Sequence, residues 1–152
     1  MTVTRASRRH VIAWCALALV AMPCVATAQM WSLTYPPLTQ GSTNPNLNAP
    51  LPEWMLWQLF RTESDCEEHR AFWQMVIKAE DDESLRIAGR RAVFIRGIPP
   101  PNADMDALEA AARRWVVDTG AKLRQDKGAM NQVLVARCVS AGDPRLAPKP
   151  AR

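Results

Sequence analysis

The chain has 152 residues, with 19 Lys and Arg against 15 Asp and Glu and a formal net charge of +4. That length fits one domain. The first 28 residues hold three arginines and no acids; without them the balance is 16 against 15, or +1, and so near-neutral a remainder argues against nucleic-acid binding, which needs a clustered basic face.

Residues 1–28 read as a cleavable signal peptide. Arg5, Arg8 and Arg9 make a basic start, residues 11–22 are apolar, Pro23 breaks the run, and Ala26-Thr27-Ala28 offers the small residues of a cleavage site after Ala28. The apolar run is too short for a membrane span, which needs about 20 residues. Pro23 before Cys24 argues against a lipidated cysteine, and Arg8-Arg9 leaves a twin-arginine route open beside the general one. The expected location is periplasmic or secreted, with no membrane-spanning segment after processing.

Residues 29–52 are expected to form a strand and a proline-rich segment. Trp31, Leu33 and Tyr35 alternate with Ser32 and Thr34, a half-buried strand pattern. Pro36-Pro37 ends it. The following stretch to 52 is rich in Pro, Asn, Ser and Thr and reads as an irregular loop or an extended wrap, long for a compact domain. Residues 54–60 are apolar at nearly every position and are assigned as a strand, with a short helix as the alternative.

Three helices follow. The first, over 63–80, is capped by Thr62 or Ser64, and Cys66, His69, Trp73, Val76 and Ile77 recur at helical spacing. The second spans about 83–95, where acids at 80–83 give way to Arg86, Arg90, Arg91 and Arg96; Asp82 and Arg86 are spaced to pair. After Gly97 and Pro99 to Pro101, a third helix over 103–127 starts from Asn102 or Asp104. Glu109–Arg113 and Asp118–Lys122 are its expected pairs. Gly120 weakens it by about 1 kcal/mol relative to alanine, and Gly128 is a natural stop. The valine-rich segment 132–139 alternates and is assigned as a third strand, with a continued helix as the alternative. Residues 53–146 then form the globular domain, and 147–152 a frayed tail.

Cleavage removes Cys15 and Cys24 and leaves Cys66 and Cys138. An even pair in an oxidising compartment is most simply a disulfide. The expected fold is α+β, a small antiparallel sheet packed by two or three helices and stapled once; an all-α bundle is the alternative. The Trp-x-Leu-x-x-Pro-Pro start at Trp31, Phe60 with the capped Cys66 helix, and Ala136-Arg137-Cys138-Val139 running into Asp143-Pro144-Arg145-Leu146 together resemble a group of small exported bacterial proteins of unknown function. The resemblance covers about a third of the mature chain, at its two ends. It implies export and a Cys66–Cys138 bridge, and no activity.

Catalytic chemistry finds little footing. One histidine, His69, remains after processing, no serine sits in a nucleophile-elbow context, and there is no phosphate loop or haem attachment motif. No catalytic residue and no cofactor is expected. Cys66 and His69, three apart on a helix, are the one metal-ligand pair worth weighing, for zinc or copper, and they require a free thiol. Trp54, Trp57 and the arginines Arg86, Arg90, Arg91 and Arg96 are candidates for a partner surface, because aromatics anchor interfaces and arginines dock anionic surfaces. The expected function is a non-catalytic binding or interaction protein with an envelope protein or ligand as partner. The alternative is a metal-handling protein using Cys66 and His69.

Overall fold

A computed structural model describes residues 30–95, 97 and 99–146. The expected leader, Arg96 and the tail beyond Leu146 lie outside the described residues. The elements are β1 (Trp31–Tyr35), a 3-10 turn (Leu51–Glu53), β2 (Met55–Phe60), α1 (Glu63–Lys78), α2 (Asp82–Ile95), α3 (Met105–Gln125), α4 (Lys127–Val135), β3 (Arg137–Ser140) and a second 3-10 turn (Pro144–Leu146). Among the described residues the fold is α+β, with three antiparallel strands in the order β2-β1-β3, four helices and one disulfide.

Local chemistry sets the helix starts. Thr62 Oγ1 accepts from the Asp65 amide at 3.1 Å, and Asp104 Oδ1 accepts from the Ala107 amide at 3.1 Å. Each satisfies a backbone N–H that the first turn leaves without an intrahelical partner. Asp81 does the same for Ser84, at 2.9 Å, and this bond holds its carboxyl below the usual carboxylate range.

The C-terminal third departs from the expected strand over 132–139. Asp126 Oδ1 accepts from the Ala129 amide at 3.0 Å, which restarts the chain as α4, and helix continues to Val135. Only Arg137–Ser140 is strand. Two long-range bonds favour the helix over the β-propensity of the valines. Buried Gln132 donates to Pro36 O at 2.9 Å, and Gln74 donates to Leu134 O at 3.1 Å. Gly128 is therefore no stop. It lies inside α4, where an added Cβ would stand 2.9 Å from Leu38 Cδ1. The proline-rich stretch wraps that helix: besides Gln132 on Pro36 O, Asn131 donates to Thr43 O at 3.1 Å.

Two clusters make the interior, and α1 serves both. Near its start, fully buried Cys66 joins Leu33, Phe60 and Ala136 under the sheet. Further along, Phe72 and Val76 pack with Ala88, Ala92 and Val93 of α2 and Ala112 and Val116 of α3. Cys66 and Cys138, 72 positions apart in sequence, are disulfide-bonded, with Cα atoms 5.9 Å apart. This bridge ties α1 to β3. An aromatic series joins the two clusters: Tyr35 meets Trp57 edge-on at 6.1 Å, Trp57 lies 4.9 Å from Trp73, and Trp73 lies 5.8 Å from Trp115. Such pairs add about 0.5–1.5 kcal/mol each beyond their buried area.

Candidate partner surface

The surface that stands out belongs to β2. Its residues are Met55-Leu56-Trp57-Gln58-Leu59-Phe60, without a charge or a proline. Among the described residues it lies at one edge of the sheet and pairs only with β1. The register shows how it is shaped. Trp31 stands opposite Phe60, Ser32 opposite Leu59 and Leu33 opposite Gln58, but Thr34 stands opposite Leu56. Trp57 is thus one residue too many, a β-bulge. Residues three apart on a regular strand face opposite sides. Here Leu59 and Leu56 oppose Ser32 and Thr34, two apart on β1, so the bulge puts both leucines on one face. They are 52% and 55% exposed, and Met55 beside them is 44% exposed.

The two edges of the sheet are unlike. β3 is four residues long and carries exposed Arg137. A short strand bearing a charge discourages pairing with another chain, whereas an uncharged apolar edge invites it. β2 has six residues and no charge, and its one guard is the bulge. Its bulge has a use inside the molecule, because it turns Trp57 toward Trp73.

Of the residues singled out from sequence, Trp57 lies in β2 and the other described ones fall elsewhere. Trp54 precedes β2 and is buried; its Nε1 donates to Ala49 O at 2.9 Å, and the Arg137 guanidinium lies 5.4 Å from its ring. It anchors the wrap. Trp57 is half-buried in the aromatic series. Arg86, Arg90 and Arg91 are exposed on α2. Arg86 pairs with Glu83 at 2.6 Å, which raises its pKa and lowers that of Glu83. Arg90 pairs with Glu109 on α3 at 3.0 Å, and Arg113 reaches back to Asp82 at 2.5 Å. The expected Asp82–Arg86 and Glu109–Arg113 pairs give way to these contacts across the α2–α3 seam, which local spacing cannot foresee. A groove of about 440 Å³ there is lined by Arg86, Glu109, Arg113, Arg114 and Asp118, so both signs of charge meet in it. It makes a poor seat for a simple anion.

The metal-ligand pair is also changed in character. Cys66 is half of the disulfide, so its sulfur is not a thiolate in this form, and the His69 ring packs on Phe60 at 4.6 Å. Among the described residues, no three or more His, Cys, Asp or Glu side chains gather in a group fit to hold a metal ion. Among the same residues, no helix is long and apolar enough to cross a membrane.

The signal that sequence reading missed was present in 54–60. Leucines at 56 and 59 with no charge between them read as burial, because a single sequence does not tell a central strand from an edge. No protein-family model matches the chain, no curated protein resembles it significantly, and no solved structure matches its fold.

Proposed function

We propose that the chain is an exported, non-catalytic interaction protein, and that it works through the free edge and leucine face of β2. The partner this surface suits is an extended, uncharged segment with apolar side chains, able to lie beside β2 and cover Leu56 and Leu59. One observation carries the reading: a six-residue apolar edge, unguarded by charge, on a sheet whose other edge is guarded. The strongest nucleophile and base candidates are meanwhile committed to structure, Cys66 and Cys138 to each other and His69 to Phe60. The expected export supports the reading further, because it supplies the oxidising compartment that the disulfide needs.

Affinity capture from envelope extract tests it, with oxidised wild-type protein and the Leu56→Arg and Leu59→Arg variants as baits. Both leucines are half-exposed, so the variants should keep the wild-type melting temperature. Proteins identified on the wild type and lost from both variants support the surface. Identical sets from all three baits would rule out a separate envelope protein as the occupant of β2.

A further inference from the structure

We infer that the strand which covers β2 is the β2 of a second copy, paired antiparallel about a two-fold axis through the bulge. This rests on the reading that β2 is the working surface, and it names the occupant. A symmetric interface requires a surface complementary to itself, with each contact occurring twice. The pattern of β2 meets that requirement. Read backward, Met55-Leu56-Trp57-Gln58-Leu59-Phe60 keeps its order of apolar residue, leucine, two central residues, leucine, apolar residue. Laid antiparallel, Leu56 of each copy stands opposite Leu59 of the other, and Met55 opposite Phe60. The bulge makes the match work in three dimensions. It sits at the centre of the strand and puts both leucines on one face, so the pairs meet on the same side of the joined sheet.

Charge at the strand ends points the same way. Glu53 precedes β2, Arg61 follows it, and both are exposed. Antiparallel pairing brings Arg61 of each copy close to Glu53 of the other, whereas parallel pairing would set like charges together. The bulge interrupts backbone pairing at the centre, so the leucine contacts carry much of the association. The contact is small, which fits a reversible dimer at the low end of specific interfaces.

Sedimentation of the oxidised mature chain, from about 10 to about 500 µM, tests the inference. The wild type should pass from monomer to dimer with rising concentration, and Leu59→Arg should stay monomeric. Glu53→Arg should weaken the dimer roughly fivefold, as loss and reversal of two exposed pairs implies. Glu53→Arg with Arg61→Glu should restore it, which a general loss of folding or solubility could not do. A wild type that is monomeric throughout, or a dimer indifferent to Leu59→Arg, overturns the proposal. So does a double variant as weak as Glu53→Arg alone. If the wild type is monomeric while a captured partner still depends on Leu56 and Leu59, the second copy is wrong and the surface stands. If both measurements fail, the surface fails with them.

Discussion

Replacing Gly120 by alanine sets local propensity against packing, and the two predict opposite signs. On helix propensity alone the change should stabilise α3 by about 1 kcal/mol. In the fold, α3 crosses α1 at this position. A Cβ on Gly120 would stand 2.7 Å from Val76 O, well inside the ~3.3 Å at which carbon and carbonyl oxygen normally meet. The obstructing atom is backbone in a packed helix and has no rotamer to escape into. The same Cβ would lie 3.1 Å from Arg124 Nη1, which donates at 2.9 Å to Ile77 O at the end of α1. Overpacking of this kind costs about 1–3 kcal/mol, and a backbone-to-backbone clash belongs at the upper end. Subtracting the propensity gain leaves a net loss of about 2 kcal/mol, or roughly 8 °C of melting temperature for a domain of this size. Gly128→Ala is the control. Its Cβ would meet the Leu38 Cδ1 at 2.9 Å, a side-chain tip that can turn away, so the loss should be much smaller. Thermal denaturation followed by circular dichroism reads both. A Gly120→Ala protein as stable as the wild type, or more so, would refute the close crossing of α1 and α3.

The bridge and the C-terminal turn give two further expectations. Replacing Cys66 and Cys138 together by alanine frees a closed loop of 72 positions, worth roughly 4 kcal/mol in the chain-entropy account. The melting temperature should fall by about 15 °C; a fall of only a few degrees would mean that the bridge restrains little. Asp143 accepts from both the side chain and the amide of Arg145, and these bonds, chiefly the guanidinium's, pull its pKa down from 3.8 to about 2. A depressed carboxyl contributes stability that is whole above its unfolded value and disappears as pH falls through the folded one. The melting-temperature difference between wild type and Asp143→Asn should therefore be steady above about pH 5, shrink as pH falls, and vanish only below about pH 2. A difference that stays constant across that window would show that the Asp143–Arg145 contact does not form in solution.

Much of the helical half was legible from spacing, because its determinants are local. Thr62 and Asp104 cap the amides three residues on, as their positions promised, and Cys66, Val76 and Ile77 lie on the buried face that helical periodicity assigns. Cys66 and Cys138, the pair expected to remain after export, are joined. The exposed face of β2 was less legible. Trp54 and Trp57 carried the aromatic signal, yet each is held by contacts to residues far away or in another element. The leucines that are exposed looked like core.

Composition, periodicity and capping were enough to point to an α+β chain with α1, α2 and α3 near their observed limits, since those properties depend on neighbours within a turn or two. The rest turned on contacts between residues distant in sequence. Gln132 reaching Pro36 makes a helix of a valine-rich strand candidate, and the α1–α3 crossing gives Gly120 a use that helix propensity counts as a fault. The order β2-β1-β3 leaves an apolar strand at an edge, and one bulge turns two of its leucines to the same side. Each depends on where another segment lies in space, and no short window of the chain contains that.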